Sequence, residues 1–407
     1  MMGAFMKPRS KRAFFLESVV LSVAGIGVYN AVIQFLVYPA ISRRIGAEAF
    51  GHVLTMLSVM SVAAVSVGAG VNFARMANVP RFETENGDYN RFLLPGLVAV
   101  ALCGTGTLVC IGAAHPASWV LYPLLCVVSA LRYYGNVAFR LEINYRKNFL
   151  FFLLLSVGYV LGLLLFRVVG LWETPILVGE ILAVGYVVLS GTVLRRPFWK
   201  TSENLRKVRK SCAALSTAQL FINLTMHADR LLIGALLDGT QVTIFYVASL
   251  LGKAVAMLTE PIAGVAIGFL ARTKSFGRRQ FLLSALVSLV LGALAFLAFI
   301  PIAPLLMGLL YPDVAAEAKP FFLIANGGQI IYFIANLLLV IVLRFAAEKY
   351  QLYINVTYSV LFFAVCIPAL QHGGLPLFCT LVLLLNIVRL AAVLILGAWK
   401  SKEGAQL

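Results

Sequence analysis

Along almost its whole length the chain reads as blocks of eighteen or more apolar residues separated by short charged stretches. Such a block matches the ~20 residues that an α-helix needs to cross ~30 Å of hydrocarbon. A closed β-barrel is the only other structure that spans a bilayer, and its strands would show ~10-residue alternation of apolar and polar positions. The sequence has no such alternation. The blocks predict spans at roughly 14–40, 52–77, 93–113, 119–141, 150–169, 175–194, 211–237, 243–271, 281–300, 320–343, 350–369 and 375–398. The expected fold class is therefore an all-α integral membrane protein of about twelve transmembrane helices. Two smaller stretches stand apart: 301–318 is too rich in proline to continue the ninth span and is expected as a short amphipathic piece at the external surface, and 78–92 is a polar loop with charges of both signs.

Composition supports this picture. Of 407 residues, 61% are hydrophobic and 12% charged, against roughly 45–50% and about 25% in soluble domains. The cysteines, Cys103, Cys110, Cys126, Cys212, Cys366 and Cys379, all fall in or at the edges of apolar blocks. None forms a C-x-x-C pair, so neither a metal site nor a disulfide framework is expected. The first block is too long for a signal peptide and lacks a small-residue cleavage site, so it is expected to remain as a span.

The net charge of +17 at first suggests a nucleic-acid partner, but its distribution argues against one. One side of the expected topology receives Lys7, Arg9, Lys11 and Arg12, then Arg81 and Arg91, then Arg146 and Lys147. It next receives the seven basic residues of 195–210, then Arg272, Lys274, Arg278 and Arg279, then Arg344 and Lys349, and finally Lys400 and Lys402. The other side receives only Arg43, Arg44, Arg167 and Lys319. Lys and Arg are retained in the cytoplasm during insertion, so both termini are expected there. No nucleic-acid partner is expected, and membrane lipids are the natural partners of the basic side.

The basic segment 195–210, RRPFWKTSENLRKVRK, divides six spans from six. It predicts an N-terminal six-helix lobe (1–194), a cytoplasmic linker (195–210) and a C-terminal six-helix lobe (211–407), with a central cavity as the path. RRIGAEAFGHVLTMLS, from Arg43, lines up with ALLDGTQVTIFYVASL, from Ala235, at an offset of 192 residues, each as a turn between the first two spans of its half.

An ionisable side chain at the bilayer centre costs at least ~2.5–3.5 kcal/mol on insertion scales and normally faces a cavity or a partner. The spans hold Arg132, Asp229, Arg230, Lys253, Glu260 and Arg389, with Arg75 near the end of span two. Helical spacing stacks Arg132 with Asn136, Lys253 with Glu260, Asn30 with Gln34, and runs Gln219, Asn223, His227 and Arg230 along span seven. Arg132, Arg230, Lys253 and Arg389 outweigh Asp229 and Glu260, which makes a cationic cavity suited to an anionic cargo. Arginine matches phosphate through its planar fork of donors. In this reading Arg75, Arg132, Arg230, Lys253 and Arg389 are the substrate-binding candidates, and Asn30, Gln34, Asn136, Gln219 and Asn223 the polar lining. Asp229 and Glu260 are candidates for coupling or charge balance, or for ion pairs that fix helix register. No cofactor is expected, with coupling to a proton or sodium gradient the open alternative.

The sequence carries no G-x-x-x-x-G-K-[ST], no H-E-x-x-H and no large extramembrane domain, so no enzyme is expected. An ion-coupled multidrug or small-molecule antiporter is the alternative reading. It would favour an acidic cavity, and its major-facilitator form would need a G-x-x-x-D-R-x-G-R loop that NVPRFETENGDYNRF does not provide.

The stretch QFLVYPAISRRIGAEAFGHVLTMLSVMSVAAVSVGAG, from Gln34, resembles the N-terminal signature of the polysaccharide-transporter, or O-antigen flippase-like, branch of the multidrug/oligosaccharidyl-lipid/polysaccharide (MOP) exporter superfamily. The matching features are Pro39, Arg44-Ile45-Gly46, Phe50-Gly51, Gly68, Gly70 and Arg75. DRLLIGALLDGTQVTIFYVAS, with Asp229 and Phe245/Tyr246, resembles the equivalent element of the second half, with Thr243 where a Gly is usual. The resemblance implies a two-lobed, V-shaped bundle of twelve helices. Such a bundle flips undecaprenyl-pyrophosphate-linked oligosaccharide to the outer leaflet by alternating access, with cavity cations engaging the pyrophosphate. It further implies a polyprenyl-linked glycan as substrate, a glycan polymerase or assembly machinery as partner, and a monomer.

Overall fold

The computed structural model describes residues 11–113, 115–257, 277–342, 346 and 348–403. Every regular element among them is helical. In chain order these are α1 (Lys11–Val32), a π-helical turn (Ile33–Val37), α2 (Tyr38–Ile45), α3 (Ala47–Asn78), α4 (Asn86–Ile111), α5 (Ser118–Gly135) and α6 (Val137–Leu141). There follow α7 (Tyr145–Val169), α8 (Glu173–Ser190), α9 (Leu205–Leu236), α10 (Gly239–Met257), α11 (Arg278–Leu310), α12 (Ala315–Ala318), α13 (Phe322–Val342) and α14 (Glu348–Glu403). Nine stretches among the described residues are long and apolar enough to cross a membrane. The last, Tyr350–Ser401, is 52 residues long and breaks helical geometry at Gly374 (φ 59°), so it holds the two final expected spans. Only glycine adopts that backbone region without strain. Helices α9 and α10 occupy the seventh and eighth.

Local chemistry accounts for the irregular places. Pro39 offers no N–H to the preceding turn, and the chain widens there into the π-helical turn, in which Tyr38 N–H donates to the Ile33 carbonyl. Helix α11 corrects one expectation: it runs without a break through Pro301 and Pro304 to Leu310, so 301–310 is not a separate surface piece. The physical reason is length. At 1.5 Å per residue the stretch before Pro301 already covers about 30 Å. The prolines therefore fall at the far end of the crossing, and Arg43 Nη2 donates to the Leu309 carbonyl of the last turn.

The described chain forms two compact units. One comprises Met1–Ile41 and Thr55–Ala228; the other, Ser42–Leu54 and Asp229–Leu407. In the first, α7 packs along α8 and against α1, and α5 lies against α4 and α8. Gly158 and Gly162, one turn apart on α7, make close approach possible. A Cβ on Gly158 would sit 2.5 Å from the Gly179 Cα, and one on Gly162 2.7 Å from the Pro175 Cα. Small residues of this kind let membrane helices touch backbone to backbone.

In the second unit α13 packs on α14, α10 and α11. Here the two repeat turns meet. Gly51 is so close to Gly239 that a Cβ would lie 1.7 Å from its carbonyl oxygen. Thr243 Oγ1 donates to the Ala47 carbonyl at 2.6 Å. At the 192-residue offset Gly51 corresponds to Thr243 and Ala47 to Gly239, so the two contacts are reciprocal. Phe50 of one turn also stacks on Tyr311 and meets Tyr246 edge-on, at 6.1 and 6.0 Å.

Candidate functional site

In the first unit α5 packs against α8, which places Arg132 of α5 against Glu180 of α8. Arg132 Nε lies 2.5 Å from Glu180 Oε2, and Tyr159 donates to Oε1 at 3.2 Å. Both charged residues are buried, 4% and 1% exposed, and the guanidinium covers the Tyr133 ring at 3.9 Å. Gly179 admits the Tyr159 ring, whose nearest atom would lie 2.2 Å from an added Cβ. Glu180 was not singled out from the sequence, although a carboxylate in ILVGEILAV breaks an apolar span as plainly as Arg132 does. Arg132 thus has its counter-charge inside its own unit.

Arg75 lies at the end of α3 in a hydrogen-bonded network. It donates to Tyr134 Oη and Asn86 Oδ1, each at 2.6 Å, and lies over the Tyr89 ring. Asn86 in turn donates to the carbonyls of Thr192 and Arg195. Asn72 bridges to Asn136 Oδ1 at 2.6 Å and to the Tyr133 carbonyl. Arg75 and Asn136 are therefore close in the fold, through their partners. Asn30 is half-buried on α1, and Gln34 is buried in the π-helical turn. Gln219 and Asn223 bond each other along α9, with Asn223 Nδ2 donating to the Gln219 carbonyl at 2.8 Å.

In the second unit the turn after α9 folds α10 back, which brings Lys253 to Asp229: Nζ lies 2.5 Å from Oδ2. Oδ1 of Asp229 accepts from the Arg230 N–H at 2.8 Å. The Arg230 guanidinium lies over the Tyr246 ring at 5.0 Å, and the Lys253 ammonium near the Phe245 ring at 5.2 Å. The buried carboxylate thus pairs with the Lys253 ammonium and meets Arg230 through its backbone N–H. The expected partner of Lys253 along its own helix, Glu260, lies outside the described residues.

Arg389 is set differently. It is 5% exposed and lies between the Tyr332 and Tyr358 rings, 4.5 and 4.7 Å from their centroids. Nη2 donates to Asn336 Oδ1 at 2.7 Å and to Asn355 Oδ1 at 2.8 Å. Tyr358 donates to Asn386 Oδ1, one turn from Arg389, which holds its ring in place. Nε and Nη1 are buried with no hydrogen-bond partner, and among the described residues no carboxylate pairs with this guanidinium. Tyr332, Tyr358, Asn336 and Asn355 were not foreseen; only their place on two polar-dotted helices hints at them. The described residues contain no His/Cys/Asp/Glu group able to hold a metal, and the six cysteines are free.

This arrangement of buried charge within long apolar helices defines a multi-pass membrane protein. No family model matches the chain, and no curated protein matches it in sequence. Solved structures do. The chain is similar to "Lipid II flippase MurJ" in an inward closed conformation (TM-score 0.63, 10% identity, 96% of this chain and 89% of that one). It is similar to a point mutant of the Vibrio cholerae MATE transporter VcmN (0.58, 16%, 97% and 96%). It is also similar to a multidrug resistance MATE family transporter of the MOP superfamily in an inward-facing conformation (0.59, 13%, 95% and 99%). The fold is that of the MATE transporters and MurJ.

Proposed function

We propose that the chain is a flippase. It carries an undecaprenyl-pyrophosphate-linked oligosaccharide from the cytoplasmic to the outer leaflet by alternating access, in a bacterial cytoplasmic membrane with both termini inside. The observation that carries this reading is Arg389, a buried cation with two unused donors and no carboxylate partner among the described residues. An arginine stays protonated in any protein environment, and a buried unpaired charge costs several kcal/mol. An anionic group of the cargo supplies the missing counter-charge. Arg230, in a cluster with one more cation than carboxylate, is the second contact. Arg132 is matched by Glu180, so its role is positional; Arg75, bonded to Tyr134 and Asn86 with its Nε unpartnered and no carboxylate beside it among the described residues, is a third candidate contact. The fold, shared with a lipid flippase and with multidrug MATE transporters alike, supports transport and leaves the choice of cargo to the buried charges.

The antiporter alternative draws on the Asp229–Lys253 pair, a buried carboxylate of the kind that exchanges a cation or proton with the gradient. One experiment separates the two. Arg389→Gln and Arg230→Gln are expected to lose surface glycan and to accumulate lipid-linked glycan on the cytoplasmic leaflet, at unchanged protein level. Normal glycan export by both, together with lost drug efflux in Asp229→Asn, overturns the flippase reading.

A further inference from the structure

The segment between α8 and α9 is a docked strap. Gly87 N–H donates to the Lys200 carbonyl at 2.8 Å, and Asn90 Nδ2 to the Phe198 carbonyl at 3.0 Å. The Asp88 carboxylate accepts from Ser202 N–H and Oγ at 2.9 and 2.7 Å, and also from the Glu85 N–H. Gly87 is required here: a Cβ would sit 2.4 Å from the carbonyl oxygens of Trp199 and Lys200. Every one of these anchors lies in the first turns of α4 or just before it. Because α4 is a membrane span, the strap is held at the water–bilayer boundary.

What the strap turns outward is basic and aromatic. Arg195, Arg196, Trp199 and Lys200 are exposed, as are Arg206 and Lys207 on the first turn of α9. Trp199 is 55% exposed, and its ring packs edge-on against Phe198. Residues 196–200 line an open groove of about 740 Å³. Of the nearby carboxylates, Asp88 is taken by Ser202 and Glu85 by Lys200 at 2.6 Å, while Glu83 and Glu203 are exposed and leave the surface net basic. Tryptophan favours the headgroup level, and clustered Lys and Arg there attract anionic lipids.

We propose that this strap is a docking surface for the headgroups of anionic phospholipids. The position at the end of a span and the exposed Trp199 select lipid over a soluble acidic partner. This inference stands independently of the cargo reading. The test uses the full chain in nanodiscs of phosphatidylcholine, alone or mixed with phosphatidylglycerol, and follows trypsin cleavage at Arg195 and Lys200. Phosphatidylglycerol is expected to slow cleavage about tenfold. Native mass spectrometry of the detergent-solubilised chain should show preferential retention of phosphatidylglycerol over phosphatidylethanolamine. That preference should disappear in an Arg195→Gln/Arg196→Gln/Arg206→Gln/Lys207→Gln variant of parental melting temperature. Equal cleavage in both nanodiscs overturns the proposal. So does equal protection by inorganic phosphate, which would mean a free-anion site, or by soluble polyglutamate, which would mean an acidic protein partner.

Discussion

Removing the charge of Glu180 while keeping its shape leaves Arg132 buried without a counter-ion. Glu180→Gln keeps the shape and one acceptor: the amide oxygen accepts from Arg132 Nε and the NH2 donates to the Tyr159 hydroxyl, so the main loss is electrostatic. At 2.5 Å and an effective dielectric of about 20, the gross attraction is about 7 kcal/mol. Desolvation of both groups offsets part of this, and breaking one side of a buried pair typically costs about 3–5 kcal/mol. Unfolding of the detergent-solubilised protein, followed by tryptophan fluorescence, should show that loss for Glu180→Gln and for Arg132→Met. The double variant Arg132→Met/Glu180→Met removes both charges and should recover most of it, because well-packed apolar replacements of buried pairs are often near neutral. The cycle then gives a large coupling term. A double variant as unstable as the two single losses added together would refute the pairing, and so would a Glu180→Gln within about 0.5 kcal/mol of the parent. A stable double variant that still exports glycan would assign Arg132 to architecture alone.

Gly51→Val is expected to destabilise by at least about 1–3 kcal/mol, because the new atoms meet Gly239 backbone. The control Gly106→Ala, where nothing lies within 4 Å, should be neutral or gain up to about 1 kcal/mol; thermal unfolding checks both. Asp88→Asn should free the strap and speed trypsin cleavage at Arg195, since the buried carboxylate holds three strap and cap donors. The Lys200–Glu85 contact lies on the surface, and Lys200→Gln should leave the melting temperature unchanged. Glu85 raises the Lys200 ammonium above its ordinary value of 10.5. The contact is therefore complete below that value and is lost only as pH rises through the raised one, so strap cleavage should not respond to pH in the neutral range.

The helices were legible because a bilayer leaves few options: each apolar block had to become a helix, and each did so wherever residues are described. The reciprocal turn contact was foreshadowed by the 192-residue match, since Gly51 and Thr243 share a register. Partner choice was not legible. Arg132 and Glu180 are far apart in sequence and meet only where α5 packs on α8, a contact at which Gly135 leaves room for Val187. Spacing along one helix pointed Lys253 toward Glu260, which lies outside the described residues; Asp229 reaches Lys253 through the fold of the α9–α10 turn, which no spacing along one helix shows. The tyrosine and asparagine setting of Arg389 comes from three separate stretches, and no local pattern announces it. Proline content misled at 301–310 because it was weighed without the length of helix already needed to cross the bilayer.

The central claim is transport of an anionic lipid-linked glycan, and reconstitution tests it directly. The purified chain is placed in liposomes containing a fluorescent polyprenyl-pyrophosphate oligosaccharide, and a membrane-impermeant quencher is added outside. Without protein, only label in the outer leaflet should be quenched. With the parent chain, the protected inner-leaflet label should become accessible as well, and with Arg389→Gln it should stay protected. Inner-leaflet label that stays protected with the parent, in liposomes where the same protein exchanges a cationic drug for protons or sodium, would contradict the account and assign the chain to small-molecule antiport.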